Sequence, residues 1–207
     1  EAVTLLKKDR ARFITAEHYE IETKGNTYIV AIDGASFQTR YIVNAAGYGV
    51  QNFKEWDFID FEFVKGQLLT VSFKSDIQIK HSVSTLGYFA VMPGNNSEMV
   101  VGSTYEHNFN ETRPDNDGRN YLLKKLQTTF PGLTGSIDKI SLWSGVRVST
   151  QNRLPAAGEH PQHKGMYILN GLGSKGLLYG HHCADLLMKF ILYQKPLPAE
   201  IDVKRYF

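Results

Sequence analysis

A mixed α/β (α+β) fold with an antiparallel sheet in its middle is predicted by three features. The first 50 residues alternate like strands around a hairpin signal. Residues 67–105 hold three more strand-like runs. The last 42 residues run strand, glycine loop, helix, tail. The expected organisation is two intertwined parts, 1–60 with 149–207 and, between them, 61–148 carrying the antiparallel sheet and one helix.

"YEIET" (19–23) alternates, "KGN" turns, and "TYIVAI" (27–32) runs back. Asp33-Gly34 is a hairpin dipeptide leading into "FQTRYIV" (37–43), one apolar-ended strand that stops at Asn44-Ala45-Ala46-Gly47. Small residues after a buried strand let a ligand approach the backbone. Residues 51–62 read as a connection. "QLLTVSF" (67–73), "GYFAVMP" (87–93) and "EMVVGSTY" (98–105) follow, the last two joined by a turn at Pro93–Asn96. Asp115 or Asn116 caps a helix with Leu122, Leu123, Leu126 and Phe130 on its apolar face, and Pro131 ends it. Residues 139–148 alternate as a strand, 150–165 read as loop, and 166–170 as a buried strand. Residues 174–193 make a helix with Ala184, Leu187 and Ile191 on one stripe and Leu186 and Phe190 beside it.

The net charge is +2 and no Lys/Arg run exceeds two residues, so no nucleic-acid or membrane patch is legible. No apolar run reaches the roughly 18 to 20 residues of a membrane span. The single cysteine, Cys183, excludes a disulfide within the chain and points to an intracellular, cytoplasmic setting. His181, His182 and Cys183 are adjacent and splay about 100° apart on a helix, so no metal is expected there. His160 and His163 lie in the loop and are expected to be solvated. Lys65 is expected to pair with an acidic neighbour such as Glu62.

Gly171, Gly173 and Gly176 spell G-x-G-x-x-G, the form of a dinucleotide-binding turn. That reading needs a second buried strand carrying an acidic residue, and the prolines at 196 and 198 argue against one. A tight turn whose glycines serve only packing is one alternative. The other uses Ser174, Lys175 and the free N–H groups of a helix start to hold a negative ligand edge, such as that of a reduced flavin.

The ordered set "VNAAG" (43–47), "KGQ" (65–67), "GYFAVMP" (87–93), "VGSTYE" (101–106), "GVRVSTQNRLPAAG" (145–158) and "NGLGSKGLLYG" (170–180) resembles the FAD-dependent D-amino-acid-oxidase superfamily, which includes glycine and sarcosine oxidases. Within it, the G-V-R-x-x-T-x-x-x-L-P-x-x-G stretch and the G-S-[RK]-G-L loop are similar to the oxidase half of the bifunctional tRNA 5-methylaminomethyl-2-thiouridine enzymes. Asn152 and His181 depart from the common Asp and Pro of the family.

The resemblance implies the C-terminal part of a FAD-binding Rossmann-like domain with an inserted antiparallel-sheet substrate domain. It implies oxidation of a C–N bond by hydride transfer to flavin N5, with no general base required when the amine arrives neutral. Arg147 would bind the substrate carboxylate and Tyr88 would flank the substrate; these are the candidate catalytic residues. From the residues alone, Arg147 also reads as a surface or salt-bridged strand arginine and Tyr88 as core. Ala46, Gly47, Gly171, Leu172, Gly173, Ser174, Lys175 and Gly176 would lie against FAD. The family's opening strand, phosphate turn and helix are not in these 207 residues, which are expected to need that N-terminal portion to hold FAD firmly. The expected substrate is a small amino acid or amine. Two alternatives are a carboxymethylaminomethyl-uridine in tRNA, and a non-catalytic domain derived from such an oxidase.

Overall fold

The structure, a computed structural model, describes residues 12–15, 19–25 and 27–207. It contains three sheets. The first is an antiparallel meander of β1 (Tyr19–Lys24), β2 (Thr27–Ile32) and β3 (Ala35–Thr39). Asp33 (φ 44°) and Gly34 (φ 87°) give β2 and β3 the left-handed two-residue turn that matches strand twist.

The chain then changes sheets. The run expected as one strand over 37–43 is broken at Arg40, and β4 (Ile42–Asn44) belongs to a second sheet. The Thr39 hydroxyl binds the Tyr41 carbonyl and accepts from its N–H, which ends the meander ladder. Ile42 N–H then donates to the Gly165 carbonyl at 2.9 Å. Apolar residues continue across the break, so pattern alone does not reveal it.

The second sheet has the order β10–β11–β4, with β10 (Ala156–Glu159) antiparallel and β4 parallel to β11 (Met166–Asn170). β10 lies inside the stretch expected as loop. Its Ala156 and Ala157 are fully buried, but "AAGE" has no branched or aromatic residue to signal a strand. The stretch 51–62, expected as plain connection, instead overlaps two 3-10 turns (Gly47–Asn52 and Lys54–Trp56), which bury Val50 and Trp56, and the first residues of β5 (Phe61–Phe73).

The third sheet has the order β6–β7–β8–β5–β9, all antiparallel: β6 (Val83–Ser84), β7 (Tyr88–Met92), β8 (Asn95–Gly102), β5 (Phe61–Phe73) and β9 (Ile137–Thr150). β5 begins six residues before the expected 67. One face is covered by helix α1 (Asn116–Thr129), which Asp115 caps by accepting from Gly118 N–H at 2.8 Å. Leu69, Val71, Phe89, Met99, Val101, Leu122 and Leu126 form the core beneath it. Helix α2 (Gly176–Tyr193) covers the second sheet with Cys183, Leu187 and Ile191; the buried stripe runs through Cys183 rather than Ala184. No described helix is long and apolar enough to cross a membrane.

Candidate functional site

Strand alternation decides what the uncovered face of the five-stranded sheet carries. Lys65, Gln67 and Leu69 point toward α1. Val64, Gly66 and Leu68 point away, opposite Arg147, Gly145 and Trp143 of β9; Leu68 also faces Gly102, which faces Tyr88. Arg147 and Tyr88 are therefore brought to one face.

Arg147 lies across the neighbouring strand. A β-carbon at Gly66 would collide with the guanidinium, so only glycine leaves it room. Nη2 donates to Ser103 Oγ at 3.0 Å, and Cζ sits 4.7 Å from the Tyr105 ring centre. Nη1 is buried and has no hydrogen-bond partner. No ion pair to Arg147 occurs among the described residues, so the salt-bridged alternative does not hold. A buried donor without an acceptor is costly unless a ligand supplies one. Tyr88 is 49% exposed and is not core. It lines a cavity of about 650 Å³ with Leu86, Ser103, Tyr105, Asp117 and Tyr121.

The two small-residue turns converge beside this face. β4 and β11 run parallel, so their C-terminal ends meet at one edge of the sheet. Asn170 ties them: Nδ2 donates to the Gly47 carbonyl at 2.9 Å, and Oδ1 accepts from Gly171 N–H at 2.8 Å. Gly171 has φ +73°, and a β-carbon there would lie 2.8 Å from Thr150 Cγ2, so conformation and space both require glycine. Ser149, two residues beyond Arg147, bridges to Leu172. The Arg147 strand, Ala46-Gly47 and the 171–176 loop are thereby neighbours. The helix itself starts at Gly176, after a 3-10 turn over Gly173–Lys175 rather than at 174. No side chain caps it and its first turn holds no acid, so its N–H groups and Lys175 face outward as a positive end.

Other expectations are corrected. Lys65 pairs with Asp115 at 2.6 Å and Glu106 at 3.4 Å, not Glu62, because Glu62 points to the opposite side of β5 from Lys65. Burial opposes the Lys65 charge, but the Asp115 hydrogen bond and the two carboxylates outweigh it and raise its pKa. Asp115 is held down at about 2, first by the Gly118 N–H and then by Lys65. His160 is buried, not solvated. Its Nδ1 accepts from the N–H groups of Gln162 and His163, both at 3.0 Å, so Nε2 carries the proton and donates to the Glu55 carbonyl at 2.7 Å. Burial lowers its pKa despite that carbonyl. Asn152 uses only Oδ1, accepting from Thr150 and Leu154, as an aspartate would. His181 and His182 are exposed, and no metal-holding cluster occurs among the described residues.

Sequence reasoning missed Ser103, Tyr105, Gly66 and Asn170 as parts of this arrangement. All four lie inside quoted motifs, but only strand register says which way they point.

The family model described as "DAO: FAD dependent oxidoreductase" matches residues 3–189. The chain belongs to this FAD-dependent oxidoreductase family. The tRNA 5-methylaminomethyl-2-thiouridine biosynthesis bifunctional protein MnmC of Polaromonas sp. (strain JS666) is 37% identical over 119 residues, covering 53% of this DAO-family chain and 18% of that protein. Glycine oxidase of Bacillus subtilis is 26% identical over 208 residues, covering 94% of the chain and 55% of the oxidase. The crystal structure of glycine oxidase from Geobacillus kaustophilus superposes with TM-score 0.72 at 20% identity, covering 92% of this chain and 50% of that one, and shares the fold. The chain thus spans about half the length of these glycine oxidases and less than a fifth of the bifunctional protein.

Proposed function

We propose that this chain provides the substrate-facing and flavin-ring-facing parts of an enzyme that oxidises the C–N bond of a glycine-like or other small amino acid. The observation that carries the reading is the buried, unpartnered Nη1 of Arg147, on a strand whose Ser149, two residues on, bridges to the glycine loop. Arg147 binds the substrate carboxylate, a group that its always-charged fork suits. Tyr88 walls the substrate on the same face. FAD, when bound, supplies the hydride acceptor.

The residues present fit the ring of that cofactor. Ala46 and Gly47 offer backbone against its face, with open space at the Gly47 α-carbon. Gly171, Leu172, Gly173, Ser174, Lys175 and Gly176 present the uncapped positive helix end to the negative pyrimidine edge. Residues 1–60 and 149–207 form the flavin side and 61–148 the substrate side.

Replacing Arg147 with Ala in the flavin-loaded protein is expected to raise KM for glycine-like substrates by about 10- to 100-fold, the size of a lost charged hydrogen bond. An unchanged KM overturns the reading. The 37% identity to the bifunctional protein favours a second reading, in which the glycine-like group is borne by a tRNA uridine. Salt-sensitive tRNA binding by the protein separates the two. A non-catalytic derivative would show no activity for Arg147→Ala to reduce.

A further inference from the structure

The segment after β8 does not end where the ladder does. Leu68 of β5 pairs with Gly102, whereas Lys65 pairs with Glu106: three steps along β5 match four along the other chain. One extra residue is taken up between the two pairs, and this is a β-bulge. Lys65 and Glu106 exchange both backbone hydrogen bonds at 2.9 Å, and Thr104 N–H donates to the Gln67 carbonyl at 3.1 Å, so the pairing resumes past the bulge.

The bulge decides which side chains meet Arg147. Without it Tyr105 would oppose Lys65 and point toward α1. With it Tyr105 opposes Gly66, where the guanidinium lies, and Ser103 reaches Nη2. Thr104 and Glu106 turn to the other side. There Thr104 Oγ1 donates to Glu106 Oε1 at 2.5 Å and accepts from Gln67 N–H at 2.8 Å, while Gln67 Nε2 donates to Glu106 and Asp115, both at 2.9 Å. Thr104, Gln67 and Lys65 are all at least 95% buried. The segment is therefore two-faced: odd residues hold the arginine and even residues bolt the backbone to a buried polar network.

We propose that residues 103–106 form a positioning device for Arg147. Ser103 and Tyr105 fix the guanidinium with Nη1 turned to the ligand, and Thr104 and Glu106 hold that segment in its shifted register. This rests on Arg147 being the carboxylate-binding residue. Tyr105 orients the cation through its ring; Thr104 acts only through the backbone of its neighbours.

The test uses acetate as the carboxylate probe, titrated by NMR at the Arg147 side-chain N–H resonances, or at neighbouring amides in Arg147 variants, alongside thermal melts. Thr104→Val and Tyr105→Leu are each expected to weaken acetate by about 3- to 10-fold, the usual range for coupled neighbours. Thr104→Ser and Tyr105→Phe, which keep the hydroxyl and the ring, are expected to bind as the wild type does. In double-mutant cycles with Arg147→Lys the losses are expected not to add, which a general loss of stability would not produce. The device is overturned if Arg147→Lys weakens acetate while Thr104→Val and Tyr105→Leu bind normally, even with a lowered Tm. If Arg147→Lys itself leaves acetate affinity unchanged, the reading of Arg147 falls, and the device with it.

Discussion

The two faces of the five-stranded sheet are built from the same strands and differ in almost everything else. Beneath α1, Leu69, Phe89, Val101 and Leu126 are fully buried against one another. On the other face, Tyr88, Tyr105 and Trp143 are 49%, 66% and 60% exposed, and Arg147 keeps an unpaired donor. Packing is complete on one side and unfinished on the other. The covered face carries the stability, and the open face keeps its bonding capacity for a ligand.

The largest expected effect tests the covered face. Leu126→Ala should cost about 2–5 kcal/mol in urea unfolding, since the site is fully buried beneath a helix; acetate affinity at low denaturant should not change. A Leu126→Ala protein as stable as the parent would break the comparison. Asp115 belongs to the covered side, capping α1 and pairing Lys65. Asp115→Ala should cost about 1–2 kcal/mol, the scale of a lost cap. Because its folded pKa is about 2, below the ordinary 3.8, its contribution is full above about pH 4 and fades as pH falls toward 2.

His160 sharpens the contrast with a third, packed region. Its folded pKa is lowered, so the unfolded chain binds the proton more readily and stability is full above about 6.5. It is lost as pH falls through the depressed folded value, because a proton on Nδ1 would face two N–H donors. Melting temperatures measured from pH 8 to pH 5 should fall less steeply in His160→Ala than in the parent; equal slopes would remove His160 as the cause. The smallest effect belongs to the open face: Trp143→Ala should change stability by no more than about 0.5 kcal/mol.

Much of this contrast was legible in the sequence, for local reasons. The Asp33-Gly34 turn, the Asp115 cap, the alternating β9 and the glycine loop each follow from a few adjacent residues. What stayed hidden was set at a distance. β10 is a strand because β11 lies beside it, not because of "AAGE". Lys65 finds acids 41 and 50 residues away because a strand and a helix start converge there. His160 is buried because Trp56 and Phe58 pack on it. Tyr105 stands in a motif that was recognised, yet its direction depends on a one-residue shift that composition does not encode.

Asn170 has a wider consequence. It joins two turns 123 residues apart in the chain, and it needs both ends of its amide to do so. Aspartate cannot donate and serine cannot span the gap. Everything between the two turns, including the whole five-stranded sheet and α1, is an excursion whose ends are brought together by the β4–β11 pairing and tied at the turns by this side chain. Such an excursion can lengthen, shorten or be exchanged for another over evolutionary time while the two turns stay in step, so long as residue 170 remains asparagine.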